Sequence, residues 1–417
     1  MFSTKKGFGC EVLCPLSSKY FRFVGYAFVD DTDIIQSVLQ EDPEATRKQL
    51  QEAIGTWEFS LKATCGALVP EKTVWWLVSF CWSGSSWRYA GVQDYPGDLY
   101  VNDIHNNRKV IKCLEPNQAY ETLGVFLAPD GNLDEQFQKM LNAATKWADN
   151  LRTGAISKND VWLAIHSTIL RTLMYPLPAI RLSKAQWETI MSPILQYCLP
   201  ALGICRNFPR KLVHSTLDYM GLDIKHLFFL QEISRLKDII LHNFNDTLTG
   251  KLYHTSMEIF FLEMGINPSN LSSKDKAIAL TTPSLVQSTM TFLVQHHLVL
   301  RHSITMRPLR INDEFIMEAF ISLDIDETDL GICNTCRLYL KVCFLSEITT
   351  GDGTYITEDA WTGRYLEQPF KDKSWPKYRR PSAASWHTWQ KWVSKAFLTR
   401  GRRLRHPLGP WLLWDNQ

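Results

Sequence analysis

The amino-acid sequence predicts an α+β protein, with strands in about the first 130 residues and helices after them. Short apolar and aromatic runs bounded by Gly, Pro, Asn and Asp recur up to residue 127, a pattern typical of strands and hairpins. From Leu133 onward, apolar residues recur at the spacing of amphipathic helices. The turn sequence Pro129-Asp130-Gly131-Asn132 separates the two regions.

The first strand-like region surrounds a pair of acids, Asp30 and Asp31. Apolar runs occupy residues 21–28 before this pair and 32–39 after it. A strand, an acidic turn and a returning strand predict a β-hairpin with carboxylates at its tip. Such carboxylates suit Mg²⁺, which prefers few carboxylates together with substrate phosphates. Taken alone, the pair is better explained as a solvated turn.

The next segment predicts a helix that starts at Asp42-Pro43 and stops near Gly66. Asp42 can cap the helix, Pro43 suits its first position, and Gly66 is a common terminator. An apolar face that includes Ile54 is expected to pack behind a sheet, with Glu58 facing solvent.

Three further segments follow the acidic pair in order. They are Gly66-Ala67-Leu68-Val69-Pro70-Glu71-Lys72-Thr73 with the strand-like residues 74–77, then Glu121-Thr122-Leu123-Gly124-Val125-Phe126-Leu127, then the helix-rich stretch from Leu133. Together with the run Val24-Gly25-Tyr26-Ala27-Phe28-Val29-Asp30-Asp31-Thr32-Asp33, they resemble the reverse transcriptases of retrotransposons without long terminal repeats. These enzymes are RNA-directed DNA polymerases.

The resemblance implies a partial polymerase palm, an antiparallel sheet with a helix, followed by a mostly α-helical thumb and C-terminal region. It divides the chain into a partial palm over residues 1–130, a thumb-like region over 131–250, a helical C-terminal region over 251–369 and a basic, Trp-rich tail over 370–417. The palm segment would contain both the acidic hairpin and a segment like the primer grip.

The resemblance also implies roles for individual residues. Asp30 would be the principal Mg²⁺ ligand and Asp31 a supporting one, and Lys72 would lie near the departing pyrophosphate. Leu123, Gly124 and Val125 would grip the primer end. The alternatives are a surface lysine beside a Pro turn and an ordinary hairpin.

A palm of this kind needs a further metal-binding Asp upstream, together with fingers, and only 29 residues precede Asp30. The expectation is therefore a C-terminal fragment of a reverse transcriptase that starts inside the palm and does not polymerise alone. Its expected partners are an RNA template, a DNA primer, and either the missing N-terminal part or another chain. The alternatives are a nucleic-acid-binding module without chemistry and a degenerate reading frame.

Basic residues are concentrated near the C-terminus, where residues 371–405 contain 11 Lys or Arg and one acid, Asp372. This asymmetry favours a polyanion partner, because basic groups contact phosphates and indoles stack on bases. The candidate nucleic-acid-binding residues are Lys377, Arg379, Arg380, Trp386, Trp389, Arg402 and Arg403. The tail is expected to be loosely packed unless bound; the alternative is that its aromatic residues fold back onto the helices.

The ten cysteines are scattered and do not predict a disulfide framework. Cys333 and Cys336 have the spacing of two zinc ligands, but a buried helical stripe explains them as well. The long apolar stretches are interrupted by charges, His or Pro, and residues 1–14 lack the apolar run of a signal peptide. These features predict an intracellular protein of the nucleus or cytoplasm, with no membrane partner.

Overall fold

The computed structural model describes residues 8–28, 31–38, 42–83, 86–243, 245–269, 275–364 and 379–412 of the 417. The described chain is α+β, as predicted, with many helices and small two-stranded sheets. It divides into two compact units. The first comprises Met1–Glu11 and Arg22–Asp238, and the second comprises Val12–Phe21 and Ile239–Gln417.

The strands of the described chain precede residue 128 and pair two by two. The strands are β1 (Cys10–Leu13), β2 (Tyr20–Phe23), β3 (Gly25–Phe28), β4 (Asp31–Ile34), β5 (Val74–Trp75), β6 (Phe80–Ser83), β7 (Ser86–Tyr89), β8 (Tyr100–Asn102), β9 (Arg108–Val110), β10 (Lys112–Cys113), β11 (Tyr120–Thr122) and β12 (Val125–Leu127). β1 pairs with β2, β5 pairs in parallel with β10, and the pairs β3–β4, β6–β7, β8–β9 and β11–β12 are antiparallel.

The predicted helix after the acidic hairpin is α1 (Pro43–Ala63), and its start is as expected. The Asp42 carboxylate accepts hydrogen bonds from the backbone N–H groups of Glu44 and Ala45, which satisfies two otherwise unpaired donors of the first turn. Ile54 is buried against a small core that also contains Trp75, Leu77, Leu99, Val101 and Ile111.

Glu58 lies on the buried side of α1, so its expected solvent exposure is wrong. Its carboxylate accepts a hydrogen bond from the Asn102 side-chain amide, 3.0 Å away, and pairs with Lys62 at 3.3 Å. A buried carboxylate is tolerated when such partners replace water.

The rest of the first unit is helical and packs around Trp187 and Ile190, which are fully buried. The helices are α2 (Asp134–Thr153), α3 (Lys158–Ala164), α4 (Leu170–Met174), α5 (Lys184–Ala201), α6 (Arg210–His214) and α7 (Leu227–Asn243), of which α7 continues past Asp238 into the second unit. Helix α2 packs along α5, and a π-helical turn at Ile165–Ile169 lies between α3 and α4.

The second unit is built from helices, and one of its apolar clusters contains Leu262, Phe315, Leu338 and Phe344. The helices are α8 (Leu248–Met264), α9 (Asp275–Ile278), α10 (Leu285–Gln295), α11 (Ile316–Ser322), α12 (Glu327–Leu340), α13 (Glu358–Thr362) and α14 (Ala383–Phe397).

Helix α14 corrects the expectation of a loosely packed tail. Its buried side chains, Trp386, Trp389, Trp392, Val393 and Phe397, recur at helical spacing. The helix packs on α12, and Trp389 lies edge-on to Phe320 with ring centroids 5.8 Å apart. Residues 379–412 of the tail are packed because these large rings supply core surface, which outweighs the basic composition that suggested loose packing.

The predicted segments 1–130 and 131–250 fall mainly in the first unit, and 251–369 and 370–417 fall in the second. The finer fourfold division stays a prediction. The single antiparallel palm sheet is not found within the described ranges, because the acidic hairpin and the Leu-Gly-Val hairpin belong to separate two-stranded ladders.

Candidate functional site

The acidic hairpin consists of β3 and β4, which are paired from Gly25 with Ile34 to Phe28 with Asp31. Asp31 is therefore the first residue of the returning strand, and it is exposed to solvent. Asp30 lies outside the described residues. Asp31, one of the two predicted Mg²⁺ ligands, therefore has a carboxylate that is accessible to a cation.

Glycine is required at position 25 by the close approach of the two strands. A Cβ atom added there would lie 1.8 Å from the carbonyl oxygen of Asp33, well inside van der Waals contact. Any side chain at this position would push β3 and β4 apart, so Gly25 maintains the pairing that carries Asp31.

Negative charge is concentrated along β4. Removal of solvent by neighbouring atoms raises the pKa of Asp33, and the like charge of Asp31 raises it further. The pKa of Tyr26, the cross-strand partner of Asp33, is raised by burial and by the Asp33 charge. A bound cation would relieve this repulsion.

The electrostatic coupling of Asp33 to Asp31 was not predicted from the sequence. The sequence does contain the signal. Residues two apart on a strand share a face, which brings the Asp31 and Asp33 carboxylates onto the same side of β4.

Lys72 ends a short 3₁₀ turn, Pro70–Lys72, and is exposed. Its carbonyl oxygen accepts a hydrogen bond from the Tyr120 hydroxyl, 2.7 Å away. Tyr120 is the first residue of β11, so the lysine turn is attached to the hairpin that carries the Leu-Gly-Val sequence. The turn that carries Lys72 and the Leu-Gly-Val hairpin are thereby joined through the side chain of Tyr120.

Leu123 and Gly124 form the two-residue turn between β11 and β12. Both have left-handed backbone conformations, with φ of 49° and 79°, as a type I′ hairpin turn requires. Leucine is disfavoured in this conformation because its Cβ approaches the following carbonyl oxygen. The Leu123 side chain is 44% exposed, so burial does not compensate for that cost.

Two residues that the sequence analysis did not identify hold this turn. The Tyr175 hydroxyl donates to the carbonyl oxygen of Leu123 at 2.8 Å, and the Lys139 ammonium donates to that of Gly124 at 2.8 Å. Both lie on other elements, 52 and 15 residues away along the chain. Such long-range partners leave no local pattern in the sequence.

Val125 faces inward and is buried in the helical core of the first unit. The backbone N–H of the next residue, Phe126, donates to the buried side chain of Gln136 on α2 at 2.9 Å. Val125 therefore packs the hairpin against the core, whereas the Leu123 side chain at the turn is exposed to solvent.

The predicted stacking of bases on Trp386 and Trp389 is wrong for this fold. Trp386 is 4% exposed and Trp389 is fully buried, with its indole N–H donating to the carbonyl oxygen of Ala360 at 3.1 Å. Both rings belong to the core because they lie on the inner face of the amphipathic α14.

The basic residues predicted to bind nucleic acid differ in their exposure to solvent. Arg379, Arg380 and Arg403 are exposed, whereas Arg402 is half-buried and forms a 2.7 Å ion pair with Glu358. Lys377 lies outside the described residues. The turn that carries Arg402 and Arg403 also carries the exposed residues Arg400 and Arg405, so basic side chains remain concentrated there.

Cys333 and Cys336 are fully buried on α12. Burial raises the pKa of Cys336 to about 12 and raises the pKa of Cys333 as well. Both thiols are therefore protonated at neutral pH in the metal-free chain, as expected for buried residues of a core stripe.

None of the helices in the described ranges combines the length and hydropathy that a membrane crossing requires. No protein-family model, curated protein or solved structure matches the chain.

Proposed function

We propose that this chain derives from a reverse transcriptase and that it contacts a primer–template duplex through the turn at Leu123 and Gly124. The proposal rests on the order of the acidic box, the lysine turn, the Leu-Gly-Val segment and the helices. The observation that carries it is the conformation of Leu123, an exposed leucine in a left-handed turn.

The cost of this conformation supports a binding role. A non-glycine residue in the left-handed region costs on the order of 1 kcal/mol, and Asn or Gly would relieve that cost. Hydrogen bonds from Tyr175 and Lys139 fix both carbonyl groups of the turn, so the leucine is presented rigidly. A fixed apolar side chain at a hairpin tip suits contact with the sugar and base surface of a primer end.

The acidic hairpin would supply metal ligands in an intact enzyme of this family. Asp30 and Asp31 would hold Mg²⁺ together with an Asp on another strand, and the metal would activate the primer 3′-hydroxyl and stabilise the leaving pyrophosphate. Lys72 would place positive charge near that leaving group.

A non-catalytic nucleic-acid-binding role is the second candidate, and the basic turn favours it. Arg400, Arg402, Arg403 and Arg405 are close together on a loop that contains no acid. Clustered arginines bind phosphates without regard to sequence and release counterions when they do so.

The test is binding of a labelled primer–template duplex over a salt series. The turn hypothesis predicts that Leu123→Asn weakens binding at every salt concentration, whereas Leu163→Ala, a change at another exposed leucine, does not.

The basic-turn hypothesis predicts that Arg402→Gln with Arg403→Gln lowers the salt slope by about 2, and that the exposed pair Lys48→Gln with Lys109→Gln leaves it unchanged. Salt-independent binding of the unmodified chain would contradict the basic-turn hypothesis, and undiminished binding by Leu123→Asn would contradict the turn hypothesis.

A further inference from the structure

A cysteine, a histidine and a glutamate meet within the second unit. Cys14 follows β1, while His254 and Glu258 lie one turn apart on α8. One potential ligand atom from each residue lies within 4.8 Å of the others. The imidazole Nδ1 of His254 is 3.1 Å from Oε1 of Glu258. We propose that Cys14, His254 and Glu258 bind a zinc ion.

The types of ligand select the metal. A thiolate, an imidazole and a carboxylate form a mixed set that suits Zn²⁺, with water as the fourth ligand. Mg²⁺ takes oxygen ligands, so this cluster is chemically distinct from the acidic hairpin. In a tetrahedral zinc site the ligand atoms lie about 3.5 Å apart, given metal–ligand distances of about 2.0–2.3 Å. The His254–Glu258 separation of 3.1 Å is close to this spacing, and the three ligand atoms all lie within 4.8 Å of one another.

Glu258 is oriented for this role by the turn that carries Cys14. Its Oε2 atom accepts hydrogen bonds from the backbone N–H groups of Leu16 and Ser17, at 2.8 and 3.1 Å. This leaves Oε1 on the side of His254. Glu258 is 1% exposed, and a carboxylate buried to that extent is strongly stabilised by a nearby cation.

Cys14 is also held in position. Its backbone N–H donates to Lys19 O at 2.8 Å, and its carbonyl accepts from Ser18 N at 3.0 Å, which closes the turn. The Sγ atom lies 3.0 Å from the hydroxyl oxygen of Thr255, whose own proton is donated to Lys251 O. The thiol is thus the donor to Thr255 in the absence of metal. Zinc would displace this thiol proton to solvent, after which the Thr255 hydroxyl can rotate to donate to the thiolate.

The ion would connect the turn of residues 14–17 to α8. Binding energy would then add to the stability of the second unit, because the three ligands are brought together only in the folded chain.

The test is a cobalt titration of the full chain after treatment with a chelator. We expect one equivalent of Co²⁺ to produce a thiolate-to-cobalt charge-transfer band in the near ultraviolet, and Zn²⁺ to abolish it by displacement. Cys14→Ser should remove the band, and His254→Ala should weaken cobalt binding at least about tenfold. The double variant Cys65→Ser with Cys205→Ser is the matched control, since both of these thiols are exposed and it should retain the band.

Two results would overturn the proposal. One is the absence of the band in the unmodified chain. The other is its loss in the Cys65→Ser, Cys205→Ser variant and its persistence in Cys14→Ser, which would mean adventitious binding by surface thiols. If Cys14→Ser does not fold by circular dichroism, the half-buried His254 decides, because an unchanged cobalt affinity of His254→Ala excludes it as a ligand.

Discussion

The hydroxyl of Tyr175 donates a hydrogen bond to the carbonyl oxygen of Leu123, 2.8 Å away, although the two residues are 52 positions apart in the chain. This contact holds a backbone conformation that leucine does not favour. It connects the segment after α4 to the hairpin turn that most resembles a primer grip.

Replacing Leu123 by Asn is expected to raise stability while lowering affinity for nucleic acid. Asn adopts left-handed turns more readily, so the free energy of unfolding should increase by about 1 kcal/mol in urea denaturation. Affinity for a primer–template duplex should fall in the same variant. A stabilised variant with undiminished affinity would mean that the leucine serves no binding role.

Replacing Tyr175 by Phe removes the hydroxyl and leaves the ring. Because the residue is 61% exposed, the loss of stability should be at the low end for a hydrogen bond, about 0.5 kcal/mol. Duplex affinity should decrease because the turn is less rigid. The equally conservative Tyr219→Phe, at a residue that is 77% exposed, is the control and should change neither measurement.

Asp33 should make the stability of the first unit fall as pH rises. The pKa of Asp33 is higher in the folded chain than in the unfolded chain. Its contribution to the free energy of unfolding is therefore complete at pH values below the unfolded-state pKa, and it is lost as the pH rises through the folded-state pKa. Asp33→Asn should therefore be more stable than the unmodified chain at neutral pH, with the difference vanishing in acid. Urea denaturation over a pH series measures this, with the exposed Asp218→Asn as control.

Arg337 should be essential to the second unit. Its fully buried guanidinium donates to the carbonyl oxygens of Leu262 and Glu263, each at 2.8 Å, and to that of Val342 at 3.1 Å. Arg337→Leu leaves these acceptors without their donor and should cost about 3 kcal/mol or more. Arg301→Leu, at an exposed arginine, should leave the unfolding midpoint nearly unchanged; an equal effect of both changes would exclude a specific role for the buried group.

Local signals explain what the sequence predicted well. The cap at Asp42, the break at residues 129–132 and the alternation that marks the hairpins act within a few residues. The start of α1 and the pairing of β3 with β4 follow from them.

Long-range partners explain what the sequence did not predict. The burial of Glu58 depends on Asn102, and the packing of α14 depends on α12. The anchors of the Leu123 turn likewise come from distant segments. Composition alone suggested a solvated tail, whereas the spacing of its indoles along one helical face already indicated a core.

Photocrosslinking from position 123 tests the central claim most directly. A photoreactive amino acid would replace Leu123 in the full chain, which is then illuminated in complex with a primer–template duplex labelled separately on each strand. We expect cross-links to the primer strand near its 3′ end, and few from the same group placed at the exposed Leu163. Equal labelling from both positions, or none from position 123 in a complex that forms, would contradict it.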